Sequence, residues 1–340
     1  MEKIPVAIVG ASGFTGLELI KILLNHPRFE IAFLGTSEGG AEASDLHKSL
    51  EAVLKITAQK SDPIAIAKAA KIAFLALPHK TAAKFAKPLL ELGVKVVDLS
   101  ADYRLKQKTY EEAYGAAHED GENLARAIYG LHELVGKEAI QNAQLIANPG
   151  CYPTASILAA LPFLPFADPS AAVIIDAKSG VSGAGKQCVD RTHFVTDNEN
   201  IFAYSPITHR HAPEIVEKLS IASDRGVDVV FVPQLLPITR GMLASVYIKL
   251  AKPIDDVAKI ASEFYAGNEF VRVRSEPVQV KWVAGTHFCD LFTMQKGETL
   301  FVQTAIDNLL RGAASAAVAN ANLMCGFEIG LGLPIVAYAP

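Results

Sequence analysis

The run VAIVGASGFTG, residues 6 to 16, constrains this chain more than any other stretch. Val6 to Val9 is a short apolar strand that runs into Gly10. Phe14 to Leu24 follows with helical spacing, Leu17, Ile20, Leu23 and Leu24 being apolar. A strand that passes through glycines straight into a helix opens a βαβ unit, so a parallel sheet covered on both faces is expected. Gly10, Gly13 and Gly16 permit a tight turn and a close approach of the backbone to a pyrophosphate, which the first helical amides then face. The spacing is GxxGxxG, so the position between first strand and first helix carries the assignment more than the motif does. Gly10, Ser12, Gly13, Phe14, Thr15 and Gly16 form the candidate dinucleotide loop.

The alternation continues. Strands are expected at Ile31–Leu34, Ile72–Leu77, Val94–Leu99 and Leu145–Ala147, with a helix over Lys84–Leu92. After Leu161 the pattern changes to Val173–Ala177, Val229–Val232, Ala244–Leu250, Phe270–Val273 and Leu300–Gln303, with helices at Pro213–Ala222 and Asp255–Tyr265. That is the signature of a second, α+β domain, which a chain of 340 residues has the length to build. Ala305 to Phe327, rich in Ala, Asn and Leu, is expected to be helical. The second strand ends Leu34-Gly35-Thr36-Ser37, where an NAD site usually carries an acid for the ribose 2′-hydroxyl. Thr36 and Ser37 offer hydroxyls to a 2′-phosphate instead, so the expected cofactor is NADP(H).

A formal net charge of −4 with no basic run argues against nucleic acid or an anionic membrane as partner. The apolar run at the N-terminus is short and leads into glycines, unlike a signal peptide. The uncharged stretch Pro149–Ala167 is interrupted by Pro153, Pro162 and Pro165, so a buried helix is the better reading than a membrane span. A cytoplasmic protein is expected. The cysteines Cys151, Cys188, Cys289 and Cys325 form no CxxC pair, which fits neither a zinc site nor a disulfide framework.

Cys151 stands apart from the other three. Asn148-Pro149-Gly150 ends a strand, and Pro153 suits the first turn of the next helix. Cys151 is therefore expected at a helix N-terminus, where a thiolate is favoured, and at the carboxyl end of a parallel strand, where ligands bind in open α/β sheets. A structural thiol belongs more naturally in mid-helix. A cysteine nucleophile beside a nicotinamide points to thioester chemistry: the thiolate takes an acyl group, and hydride reduces the thioester to an aldehyde.

That chemistry needs an acid/base group and an anion site. THRHAPEI places His209 and His211 two apart, so on an extended chain they share a face and Arg210 points the other way. No third ligand stands at a metal-supporting spacing, so no metal is expected. Ser100 and Arg104 follow the fourth strand, the loop KSGVSGAGK (178 to 186) offers Ser179 and backbone amides, and LPITRGML offers Arg240.

With these pieces placed, the chain resembles the N-acetyl-gamma-glutamyl-phosphate reductase family. The resemblance rests on VAIVGASGFTGLEL, LALPHKTAAKFAKPLLELGVKVVDLSADYRL, YGLHEL, ANPGCYPTA, KSGVSGAGK, HRHAPEI, PITRGML and AIDNLLRGAASAAVANANLM, in order from residue 6 to about 325. It implies NADP-dependent reductive dephosphorylation of N-acetyl-glutamyl 5-phosphate to the 5-semialdehyde, in arginine biosynthesis. It implies Cys151 as the nucleophile and His209 and His211 as acid/base and substrate contacts, without saying which does which. Cofactor contacts are implied at Pro78, Ser182, Gly183 and Asn308 besides the glycine loop, and substrate contacts at Ser100, Arg104, Asn148, Ser179 and Arg240. The implied fold is α/β: a Rossmann-type parallel-sheet domain over 1–150, completed by C-terminal helices at about 311–340, and a central α+β catalytic and dimerisation domain over 151–310. A homodimer or homotetramer acting on a small-molecule acyl phosphate follows from the same resemblance.

Gln234 stands where the family often has histidine, His287 where it often has asparagine, and Glu-Gly-Gly follows Ser37 where a basic residue is common. Three rivals remain at this stage. One is reduction of a carrier-bound aminoadipyl phosphate in lysine biosynthesis, which calls for a basic rim. The second is aspartate-semialdehyde dehydrogenase, whose cysteine and histidine surroundings differ. The third is a non-catalytic NADP-binding sensor, which has no use for the cysteine and histidine motifs.

Overall fold

The computed structural model describes residues 2–338. The chain forms two compact units. The first runs up to Pro149 and resumes over Ala313–Pro334; the second runs over Gly150–Gly312 and takes in residues 335–338.

The first unit is a seven-stranded sheet of β1 (Ile4–Val9), β2 (Phe29–Thr36), β3 (Gln59–Lys60), β4 (Ile72–Leu75), β5 (Lys95–Asp98), β6 (Ile128–Tyr129) and β7 (Leu145–Ala147). Their order is β3-β2-β1-β4-β5-β7-β6, and every pairing is parallel. Residues 6–9 of β1 and all of β4 are buried, as a sheet covered on both faces requires. The order runs outward in opposite directions from β1 and β4, so the crevice for a ligand lies at their carboxyl ends. The helix Phe14–Leu24 packs against the helix Ala314–Met324, which returns to this unit from the far end of the chain.

Ala314–Met324 is shorter than expected. Residues 305 and 306 end a strand, because Ile306 pairs with both Met242 and Cys289. Asp307 then turns the chain, its Oδ1 accepting from the amides of Leu309 and Leu310. Sheet pairing overrides the helical propensity of this alanine-rich segment. Residues 339–340 of the expected C-terminal helical stretch lie outside the described residues.

The second unit is a mixed seven-stranded sheet, consistent with the expected α+β class. Its strands are β8 (Val173–Gly180), β9 (Phe202–Ala203), β10 (Val229–Leu236), β11 (Met242–Lys249), β12 (Val271–Arg274), β13 (Cys289–Lys296) and β14 (Thr299–Ile306), in the order β12-β13-β14-β11-β8-β10-β9. The helix Cys151–Ala160 lies on β11 and β14 and is packed in turn by Ala212–Ser223. Its residues from Tyr152 on are all buried, which explains why its sequence is apolar without amphipathic spacing. Across the sheet, Met294 pairs with Phe301, Phe301 with Tyr247, and Tyr247 with Ile174. In this cross-strand row Met294, Tyr247 and Ile174 are exposed.

Candidate active site

In the first unit the glycine loop has the geometry its sequence suggests. Gly10 has φ +92°, and a Cβ there would lie 2.2 Å from the carbonyl oxygen of Ala76 at the end of β4. A Cβ on Gly16 would lie 2.5 Å from the Gly10 oxygen, so the helix can start this close to β1 only with glycine. Gly13 differs: a Cβ there would meet nothing nearer than the Gly10 oxygen at 3.7 Å, which leaves its open side for a ligand. The helix behind the loop is eleven residues long, with no side-chain cap at its N-terminus, so its first amides suit a phosphate. These residues fit a dinucleotide.

Other expected contacts lie at the carboxyl ends of neighbouring strands. Thr36 ends β2, its Oγ1 accepting from the amide of Gly39 at 2.9 Å, and Ser37 is exposed beside it. Pro78 is exposed after β4. Ser100, Arg104 and Asn148 follow β5 and β7 but are buried and tied to one another's surroundings. Arg104 donates from Nε to the Asn148 carbonyl at 2.7 Å and from a terminal nitrogen to the Leu99 carbonyl at 2.8 Å. Asn148 donates from Nδ2 to the Ala313 carbonyl at 3.2 Å and accepts at Oδ1 from Asn320 at 3.1 Å. Ser100 Oγ donates to Asp98, whose carboxyl is pushed up to about 7 by burial.

In the second unit, Cys151 opens the helix Cys151–Ala160 as expected, with Gly150 as N-cap and Pro153 in the first turn. The thiol thus sits where the helix dipole favours an anion. The Gly150 amide donates to the buried carboxylate of Glu214 at 3.0 Å, and Thr154 Oγ1 donates to the Gly150 carbonyl at 2.8 Å. Glu214 therefore anchors the turn before the cysteine, a tie that sequence spacing does not reveal.

A cavity of about 430 Å³ is lined by Cys151, His209, His211 and Ser179. This lies within the range of small-molecule sites, about 300–1,000 Å³. The two histidines share the cavity, but not by the extended geometry expected of them. The Ala212 amide closes a turn on the His209 carbonyl at 2.8 Å, and His211 is already the N-cap of Ala212–Ser223, with φ −83° and ψ −14°. Pro213 suits the first helical turn and draws the helix start back to the histidine. Arg210 is consequently not turned away and lines the same cavity.

His209 and His211 are 9% and 7% exposed, with ring centroids 5.0 Å apart. The His211 amide donates to Nδ1 of His209 at 3.1 Å, so the neutral His209 ring carries its proton on Nε2. Burial, and after it the charges of Arg210 and Arg191, hold His209 down to about 4. Its ring is edge-on to Tyr152, Tyr204 and Phe231, with centroids 5.7, 5.4 and 5.5 Å away. Tyr204 donates to the Tyr152 hydroxyl at 2.9 Å, and Tyr152 to the Gln234 carbonyl at 3.3 Å. Burial pushes both phenols up, Tyr204 to about 12, so both remain protonated donors.

The glycine- and serine-rich loop after β8 does not present the full row of amides expected of it. Gly180, Val181 and Ser182 donate to the carbonyls of Gly241, Ile238 and Thr239, and Gly185 to that of Ser182. These bonds fix the loop against the segment 238–241, and Ser179, Gly180, Gly183 and Ala184 line the cavity. Ser182 is held from outside by Asn308, which donates from Nδ2 at 3.0 Å and accepts at Oδ1 from the Gly241 amide at 2.7 Å. Arg240 is paired with the buried Asp307 at 3.2 Å and lies over the Tyr338 ring, 5.6 Å from its centroid. The cavity's own cations are Arg210 and Arg191; for Arg191 the sequence carried no signal.

Residues 5–143 match the family model described as "Semialdehyde dehydrogenase, NAD binding domain" and residues 151–308 that described as "Semialdehyde dehydrogenase, dimerisation domain". The chain is 54% identical to the N-acetyl-gamma-glutamyl-phosphate reductase of Wolinella succinogenes over the whole of both chains. It is 41% identical to that of Moorella thermoacetica over 99% of this chain and 100% of the relative. Among solved structures, aspartate semialdehyde dehydrogenase II of Vibrio cholerae, complexed with ASA, superposes with a TM-score of 0.72 at 18% identity, covering 96% of this chain and 99% of that one. Aspartate semialdehyde dehydrogenase from Candida albicans, with NADP, gives a TM-score of 0.71 at 15% identity over 95% and 99% of the two chains. At such identities the superpositions speak for the fold alone.

Proposed function

The chain belongs to the N-acetyl-gamma-glutamyl-phosphate reductase family, and from that premise we propose that Cys151 carries the acyl group while His211 moves the proton. The protein is an NADP-dependent oxidoreductase that converts N-acetyl-glutamyl 5-phosphate to N-acetyl-glutamate 5-semialdehyde in arginine biosynthesis. The observation that carries the assignment of roles is the meeting of Cys151, at a helix start, with both buried histidines in one cavity.

His211 takes the thiol proton, and the Cys151 sulfur attacks the acyl carbon. The C–O bond to phosphate breaks, and the proton passes from His211 to the departing phosphate oxygen. Ser179, at the cavity wall, holds that phosphate. NADPH, when bound, would supply the hydride that reduces the thioester. The resulting thiohemiacetal oxyanion accepts a hydrogen bond from Nε2–H of His209, whose other nitrogen is occupied by the His211 amide. Collapse of the oxyanion expels the Cys151 thiolate and frees the aldehyde. A proton from water, taken through His211, restores the starting state.

In the first unit Gly10, Ser12, Gly13, Phe14, Thr15 and Gly16 would hold the pyrophosphate, and Thr36 and Ser37 the 2′-phosphate. Pro78 borders the same crevice. Ser100, Arg104 and Asn148 support the strand ends beside it, and Ser182, Gly183 and Asn308 shape the loop over the cavity. Arg240 acts through Asp307, not on substrate. The protein works in the cytoplasm as a homodimer or homotetramer. The match to a dimerisation domain and the exposed apolar row Met294–Tyr247–Ile174 support assembly, and no helix among the described residues is long and apolar enough to cross a membrane.

The test runs in reverse. N-acetyl-glutamate semialdehyde, phosphate and NADP should yield NADPH in a phosphate-dependent reaction. Absence of that reaction in folded protein, with turnover of an aminoadipyl substrate in its place, would move the function to the lysine branch.

A further inference from the structure

The cavity around Cys151 has two cationic side chains, Arg191 and Arg210, and no Asp or Glu among its lining residues. Glu214, although close in the chain, is buried and accepts from the Gly150 amide. The guanidinium carbon of Arg191 lies 5.5 Å from the ring centroid of Tyr204, the same ring that packs on His209. Arg210 stands between the two histidines. Both arginines are exposed, whereas both histidines are buried. The wall therefore has a depth order: histidines inside, cations at the mouth. The effect of both charges on His209 agrees with their closeness to that ring.

We propose that Arg191 and Arg210 form the site for the substrate's carboxylate, the anion that stays on the acyl chain throughout the reaction. This rests on the function proposed above. The phosphate is bonded to the carbon that Cys151 attacks, so it lies at the depth of the thiol and the histidines. The carboxylate is at the other end of the acyl chain and meets the mouth. A planar guanidinium pairs with a carboxylate through two parallel hydrogen bonds, and a second cation beside it adds charge without blocking that geometry. The pair would select acyl phosphates that carry a distal carboxylate over those that do not.

Two measurements on Arg191→Ala and Arg210→Ala test this. In the reverse reaction, KM for N-acetyl-glutamate semialdehyde should rise about 10- to 100-fold, the size of a lost charge-assisted pair, while KM for phosphate stays within about twofold. Independently of any substrate, Cys151 can be alkylated with iodoacetate, which is anionic, and iodoacetamide, which is neutral, and the Cys151 peptide quantified by mass spectrometry. A change in thiol reactivity affects both reagents and cancels in their ratio. The wild type should favour iodoacetate relative to the variants. An unchanged reagent ratio would overturn the proposal, as would a rise confined to the phosphate KM. If the wild type turned over no semialdehyde, the functional reading would fall while the reagent ratio still decided the anion site.

Discussion

The backbone amide of His211 donates to Nδ1 of His209 across 3.1 Å, so one histidine of the pair spends its lone pair on the other's main chain. His209 is left as a hydrogen-bond donor at Nε2, and His211 is left to carry the proton. His211→Asn should lower kcat by about 10²- to 10⁴-fold, the range for loss of a general acid/base. His209→Asn, which removes one oxyanion donor and keeps the proton carrier, should cost less. Steady-state kinetics of both variants decide it: a larger kcat loss in His209→Asn would reverse the assignment.

Gly312 is the backstop of the nucleophile. A Cβ there would lie 2.6 Å from the Cβ of Cys151 and 2.5 Å from the carbonyl oxygen of Asn308. Gly312→Ala must therefore move either the cysteine or the turn that begins at Asp307. A fall in kcat of more than about tenfold is expected, with a stability loss of about 1–3 kcal/mol from overpacking. Gly226→Ala, with nothing within 4 Å of the added carbon, should leave kcat at the wild-type value. Urea unfolding and kcat measured on both variants separate the two effects.

The depressed His209 gives a signed pH dependence of stability. Its folded-state value is about 4 against the ordinary 6.5, burial being the main cause. Between these values the unfolded chain binds a proton that the folded chain refuses, so stability falls as pH drops from 6.5 towards 4. Asp98 acts oppositely: its raised folded value of about 7 means that its contribution is full below 3.8 and is lost as pH rises through about 7. The His209 part is isolated by the difference in urea midpoint between the wild type and His209→Gln. The wild type should lose ground against the variant as pH falls from 6.5 to 4; a flat difference would contradict the buried neutral imidazole.

The cofactor loop separates fold from binding. Gly10→Ala and Gly16→Ala place a carbon 2.2 Å and 2.5 Å from backbone oxygens and should reduce stability as well as NADPH affinity. Gly13→Ala meets no such contact, so it should fold normally and still bind NADPH more weakly. Ser37→Glu should move preference from NADPH towards NADH, read as the ratio of kcat/KM values, because an acid there repels the 2′-phosphate. A variant that kept the wild-type ratio would place the 2′-phosphate elsewhere.

What could be read from the sequence was local. The glycine loop sits where one strand feeds one helix, and Cys151 sits where Pro153 permits a helix to start, so neighbouring residues carry the information. The histidine pair was legible as a pair but not in its geometry, because Pro213 brings the helix start to His211. β13 is not legible in the sequence because its residues do not alternate cleanly: Asp290 is buried there, bound to Arg272 at 2.5 Å. Arg191, Tyr204, Glu214 and Gly312 join the site only through the tertiary fold, from segments 40 to 161 residues beyond the cysteine, and no spacing rule reaches that far. The alanine-rich segment from 305 shows the converse, a local helical preference overruled by pairing with β11 and β13.

The most direct test of Cys151 as the acyl carrier omits phosphate. The protein is mixed with N-acetyl-glutamate semialdehyde and NADP alone, the NADPH burst is recorded, and the digested protein is weighed by mass spectrometry. Hydride transfer without phosphate leaves the acyl group on the thiol, so a burst of about one NADPH per subunit and an acylated Cys151 peptide are expected, both absent in Cys151→Ser. An equal burst in Cys151→Ser, or an acyl group found on another residue, would contradict the covalent role of Cys151.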